Sequence, residues 1–366
     1  MLFCYPAEAA DENWLHDGLM TLLTRVFTGE PEPLVDWLEA FPADKRVEIE
    51  RKPTIHAALK ALAEKAAEDL NDEERAAYLA CMQSQNRIPA LFEPVELLSD
   101  PPINKAAFAK LVSDLFEIAF KALSPLGVRD RQYTRIYDAM PARICAFCGI
   151  EKMSPPDPQI PRESLDHYLS SAHYPFAAAN MRNLAPAGHR CNSSHKLGKD
   201  VIRGLGGVRR RCFDPFGQAV ATVSLQQSRP LEGRTKKMLV LPAWQIDLLG
   251  DRDFVKTWDE VYDIRTRYEL EVLDAEFWSW LDHFANWSVL EAAPPTNGAE
   301  LVGLIARYRR AVIGEGFADF LKIATFDMLA YQCQNGPASD RVTDWLIDLL
   351  SPGTGAASFA EDAFAA

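Results

Sequence analysis

A chain of 366 residues, 48 % of them hydrophobic, is long enough to bury a sizeable core and to divide into two or three domains. Its longest apolar stretches, such as 246–249, fall far short of the ~20 residues that span a bilayer, and the N-terminus has no basic segment leading into an apolar run, so the expectation is a cytoplasmic protein without membrane contact. Seven cysteines are an odd and modest number, which argues against a secreted disulfide framework and leaves room for a metal site. The net charge of −13 is unevenly spread: residues 131–237 hold 17 Lys and Arg against 8 Asp and Glu, and the remainder 22 against 44. A basic middle between acidic flanks admits a phosphate-bearing partner that the total charge alone would discourage.

Residues 7 to about 125 read as helical. Leu15, Leu19, Leu22, Leu23 and Val26 recur at helix spacing, as do Phe108, Leu111, Val112, Leu115, Phe116 and Phe120. Segments 57–69 and 73–82 fit two more helices, punctuated by Pro31, Pro33, Pro42, Pro89 and the Pro101-Pro102 pair. From about 140 to 240 the periodicity disappears, and short strands are predicted at 143–147, 164–168 and 219–225. Such a stretch is too poor in apolar pattern to hold itself together, and a structural metal would supply stabilisation. After Pro242 helices are predicted at 252–269, 271–287, 298–313, 315–333 and 338–350, with Trp258, Tyr262, Phe277, Trp278, Trp280, Phe284 and Trp287 read as core between them. The small, polar residues from 351 suggest a disordered tail. The expected organisation is therefore a helical region 1–130, a metal-stabilised domain 131–240, a helical region 241–350 and a tail 351–366. Neither a P-loop lysine motif nor HExxH occurs, and Gly204-Leu205-Gly206-Gly207 lacks the spacing of a nucleotide loop.

The middle carries the chemistry. Cys145-Ala-Phe-Cys148-Gly149 has the shape of a zinc knuckle, in which two thiolates grip one tetrahedral ion. Cys191 follows in His189-Arg190-Cys191-Asn192. Between them lie Asp166-His167-Tyr168-Leu169, Tyr174-Pro175-Phe176 and Asn183-Leu184-Ala185-Pro186; after them come His195, Lys196 and Lys199. In this order the stretch 145–199, about a seventh of the chain, resembles the HNH (His-Me finger) nuclease family. The resemblance implies a mainly α protein with a small central ββα-metal module, stabilised by zinc and flanked by the helical regions. It implies that a strand presents Asp166 and His167, that the following helix presents Asn192 opposite them, and that Asn183 holds the intervening loop and orients the histidine. His167 is then the general base, with Asp166 and the Asn192 amide as ligands for Mg²⁺ or Mn²⁺.

Two positions depart from the family pattern. Gly188 stands where a second CxxC would begin, so the fourth zinc ligand beside Cys145, Cys148 and Cys191 is open: His189 is the first choice, Cys212 another, a site without zinc the third. The lysine that usually follows Asn-x-x is displaced by one, to Lys196, leaving metal binding to be divided between Asn192 and His195. Arg182, Arg190, Lys196, Lys199, Arg203, Arg209, Arg210 and Arg211 are candidates for backbone-phosphate contacts. The expected function is phosphodiester hydrolysis in DNA, similar to the HNH subunits of bacterial anti-phage systems that work beside an ATPase or another defence protein. The acidic flanks fit partner docking or self-restraint. The alternative is a catalytically silent, zinc-stabilised module that binds nucleic acid or a partner.

Overall fold

The computed structural model describes residues 3–102, 105–218, 221–236, 239–291, 293–313 and 318–351. The N-terminal part consists of α1 (Trp14–Phe27), α2 (Arg46–Glu50), α3 (Pro53–Asp69), α4 (Asp72–Gln85), α5 (Ala106–Ala122) and α6 (Val128–Ala139). The periodic leucines of α1 are buried along one face, as are Phe108, Val112, Leu115 and Phe116 of α5. Pro53 opens α3, where its missing N–H costs nothing, and Asn71 with Glu74 forms a reciprocal capping box at the start of α4.

Strands in the middle are short. β1 (Leu165–His167) pairs antiparallel with β2 (Leu184–Pro186), with Asp166 opposite Ala185. β3 (Thr222–Ser224) pairs with β6 (Asp247–Leu249), and β4 (Thr235–Lys236) with β5 (Leu239–Val240). The strand predicted at 143–147 is reduced to one bridge between Ile144 and Lys152, because the chain turns back at once through the Cys145–Cys148 turn. Of the strand predicted at 219–225 only β3 forms, and residues 219 and 220 lie outside the described residues.

The C-terminal part contains α7 (Arg252–Tyr262), α8 (Ile264–Arg267), a π-helical segment Tyr268–Leu273 running into α9 (Asp274–Glu291), then α10 (Gly298–Ala311), α11 (Asp319–Asn335) and α12 (Ser339–Leu349). The helix predicted at 252–269 is interrupted at Asp263, whose left-handed backbone (φ 53°) ends α7 and redirects the chain. The next helical run therefore starts at 264 rather than 271. Of the expected tail only Ser351 is described; 352–366 lie outside the described residues. No helix among the described residues is long and apolar enough to cross a membrane.

Buried side chains from all three regions form one continuous cluster. Phe147 is its hub. Its ring meets Tyr5 edge-on at 6.5 Å and Phe213 at 5.6 Å, and stacks on Tyr168 at 5.7 Å and Tyr262 at 5.1 Å. Three of the buried polar ring groups around it bond the backbone: Trp258 Nε1 donates to Phe147 O (2.6 Å), Tyr268 to Cys148 O (2.8 Å) and Tyr5 to Pro186 O (2.6 Å), while Ala146 N donates to the Tyr5 hydroxyl (3.0 Å). Phe147→Ala is expected to cost about 3–5 kcal/mol, with unfolding still a single transition in a denaturant titration. A separate transition for the C-terminal helices would contradict the shared core.

Burial in α1, with the ring beside Phe116, pushes the His16 pKa down to about 4. The unfolded chain takes up this proton near pH 6.5, whereas the folded chain refuses it until about pH 4, so the contribution is complete above pH 6.5 and is lost as pH falls towards 4. The loss approaches about 3 kcal/mol. Denaturation midpoints across this window should fall steeply for the native chain and less steeply for His16→Gln; equal slopes would assign the effect to other groups.

Candidate functional site

The β1–β2 pair is the platform. Tyr168 N donates to Asn183 O (2.9 Å), extending the ladder at the point where a 16-residue loop, 168–183, leaves and rejoins it. Asn183 closes that loop. It is fully buried; its Oδ1 accepts from Leu169 N (2.6 Å), and its Nδ2 donates to Leu169 O and Ala177 O (3.0 Å each). A carboxamide can hold both ends of a loop because it offers acceptor and donors together. The loop in turn fixes His167, whose Nε2 lies 2.9 Å from Ala178 O. A carbonyl only accepts, so Nε2 carries the proton and Nδ1 presents the lone pair. Burial lowers the His167 pKa, further helped by the nearby Lys196 and Arg129, so the ring is neutral at physiological pH. Phe120 of α5 packs on it at 4.3 Å, and Arg129 lies over that phenyl ring at 4.6 Å.

After β2 the chain enters a π-helical turn, Cys191–Lys196, in which Leu197 N bonds Asn192 O, five residues back. Lys196 is buried and donates to Asp166 Oδ2 (2.7 Å) and His167 O (2.6 Å), tying the helical turn to β1. Asn192 lies in the first part of the same turn. His195 points to the C-terminal region, with Nδ1 2.8 Å from Asp263 Oδ2.

Three sulfurs come together as expected. Cys145, Cys148 and Cys191 are buried with Sγ atoms all within 4.8 Å of one another, a group that can hold a metal ion such as zinc. The 3.8 Å between Cys145 and Cys191 matches the edge of a tetrahedron with ~2.3 Å Zn–S bonds, about 3.8 Å. Gly149, at φ 69°, supplies the left-handed turn after Cys148, and Gly188 N donates to Cys145 Sγ (3.3 Å). Burial pushes the Cys148 thiol up to about 12 and raises Cys191 as well, so metal uptake must release protons. His189 is exposed and Cys212 is buried elsewhere, its backbone N–H bonded to Phe92 O (3.1 Å); neither enters the sulfur group.

The basic residues expected to contact phosphate are engaged within the chain. Arg182 pairs with Asp214 (2.6 Å), Arg190 with Glu271 (2.9 Å), Lys199 with Asp263 (3.5 Å), Arg203 with Asp100 (2.7 Å) and Arg210 with Glu260 (3.0 Å). Arg211 bridges Glu93 (2.9 Å) and Asp251 (2.7 Å), and Arg209 donates to Leu91 O (2.7 Å) and Glu93 O (3.1 Å). Of these residues Lys196 is the most deeply buried, its side chain 3 % exposed.

Four contributors escaped the sequence reading: Phe120 and Arg129 beside His167, and Glu151 and Arg267 beside the sulfurs. Glu151, three residues after Cys148, was discoverable as a ligand type close to the knuckle. Arg267 lies 76 residues from the cysteine it touches, and no local pattern announces it. Comparison with protein-family models, curated proteins and solved structures gives no match. Cys145→Ser or Cys191→Ser is expected to abolish bound zinc, read by elemental analysis of the purified chain, and to lower its thermal midpoint.

Proposed function

We propose that this chain is a metal-dependent HNH endonuclease that hydrolyses phosphodiester bonds, with DNA as substrate and anti-phage defence as its setting. The observation that carries this reading is His167: a neutral imidazole with its Nε2 proton directed at Ala178 O, beside Asp166, on a strand whose loop is locked by Asn183. That tautomer leaves Nδ1 to take the proton from an attacking water.

Asp166 and Asn192 are the residues that would hold Mg²⁺ or Mn²⁺. One carboxylate and one carboxamide suit a hard ion that takes its other ligands from water and phosphate. Such an ion, when bound, neutralises charge on the scissile phosphate and on the departing 3′ oxygen. The commitment of His195 to Asp263 favours Asn192 as the amide-side ligand. Lys196 steadies Asp166 and the strand backbone. The pairing of the basic residues with acidic partners supports self-restraint: substrate phosphates compete with carboxylates until a partner, such as an ATPase of the same defence system, draws the flanks away. Zinc at the cysteines stabilises the module.

One observation favours the silent-module reading instead: Asp166 already has a cation, Lys196, at 2.7 Å. A plasmid-cleavage assay across divalent metals separates the two. Cleavage with Mg²⁺ or Mn²⁺ that falls at least 10²-fold in His167→Ala, with zinc content and circular dichroism unchanged, supports the nuclease. Undiminished cleavage by that variant would sink the assignment of His167, and intact nucleic-acid binding without cleavage by the native chain would favour the silent module.

A further inference from the structure

We propose that Glu151 is the fourth ligand of the Cys145–Cys148–Cys191 metal centre, with Arg267 as its buried charge partner. The proposal rests on the cysteine group holding zinc and is independent of the nuclease reading.

Gly188 stands where a cysteine would complete the sulfur set, and the space beside it is filled. A Cβ built on Gly188 would lie 2.5 Å from Glu151 Cδ and 2.6 and 2.7 Å from its two carboxylate oxygens. The carboxylate thus occupies the volume into which a side chain at 188 would reach. Its Oε1 is 3.7 Å from Cys148 Sγ, close to the S···O edge of about 3.6 Å in a tetrahedron with ~2.3 Å Zn–S and ~2.1 Å Zn–O bonds. Glu151 is not part of the group of three sulfurs that lie within 4.8 Å of one another, so ligation requires Oε1 to move towards them.

The surroundings fit an anionic centre. The Arg267 side chain is 1 % exposed, with Nη2 2.9 Å from Glu151 Oε1 and Nη1 3.0 Å from Cys191 Sγ. A buried guanidinium requires compensating negative charge close by. Three thiolates and a carboxylate around Zn²⁺ leave a net charge of −2, which Arg267 halves. Backbone donors Arg190 N (2.9 Å) and Cys191 N (3.1 Å) orient the carboxylate, as outer-shell donors do for metal-ligating acids. Neither of the other residues considered for this place joins the sulfur group: His189 is exposed, and the Cys212 N–H bonds Phe92 O.

The test uses the full chain, stripped with a chelator and reloaded with Zn²⁺ or Co²⁺. The native chain should bind one ion per chain, with a tetrahedral Co²⁺ spectrum whose charge-transfer intensity corresponds to three thiolates. Glu151→Gln keeps the size and a hydrogen-bond acceptor while removing the charged ligand. Its zinc affinity is expected to fall by more than the ~10–100-fold that loss of an outer-shell partner costs, with shifted ligand-field bands. In a Glu151→Ala background, Gly188→Cys should restore zinc retention and raise the charge-transfer intensity by about a third, as a fourth thiolate replaces the carboxylate. His189→Ala should change neither. A native spectrum and affinity in Glu151→Gln would overturn the proposal, leaving Glu151 as a helix-capping acid only. Failure of the native chain to bind zinc would overturn the metal centre itself, whatever the outcome of cleavage assays.

Discussion

Arg267 enters the cysteine group from the end of α8 and places one guanidinium against Cys191, Glu151 and Glu271 at 3.0, 2.9 and 3.2 Å. Everything in the middle third depends on this knot of sulfur and charge, because its three two-stranded sheets are too short to be stable alone. The knuckle fixes the turn after Ile144, and Cys191 anchors the turn that delivers Asn192 and Lys196. Arg267 then couples both to the C-terminal helices. Removing the guanidinium would leave the carboxylate and thiols buried without their cation, which costs more than the pair contributes when intact.

The setting of His167 follows from that anchoring. With Cys191 fixed, the π-helical turn carries Lys196 back to Asp166, and Asn183 stitches the loop so that Ala178 O meets His167. Position and protonation are thereby set together. Desolvation keeps the imidazole neutral, and the carbonyl selects its tautomer. Phe120 and Arg129 form the wall on the side of the N-terminal helices, so the ring is sheltered by the N-terminal region.

Charge segregation along the chain also acquires a structural meaning. The excess cations of the middle meet the excess anions of the flanks: Arg203 on Asp100, Arg210 on Glu260, Arg211 on Glu93 and Asp251, and Arg190 on Glu271. Exposed pairs of this kind are individually worth about 0–1 kcal/mol and are screened by salt. They therefore bias the association of the regions more than they fix it, while the aromatic contacts around Phe147 provide the durable part.

The sequence by itself determined the helical flanks, since burying a stripe of leucines and phenylalanines leaves a local period that needs no partner to be read. It also placed Cys145 beside Cys148 and put Asp166 and His167 on one strand, because CxxC and adjacent residues are local geometry, whereas Cys191 was grouped with the knuckle only through the resemblance. Only the tertiary structure decided that the flanks and the middle share one core, that His195 belongs to Asp263, and that Glu151 and Arg267 stand beside the sulfurs. Those outcomes depend on contacts across 68 to 116 positions of sequence, as with His195–Asp263 and Glu151–Arg267. A charged side chain far along the chain can satisfy a buried group as well as a near one, and local pattern carries no record of which will arrive.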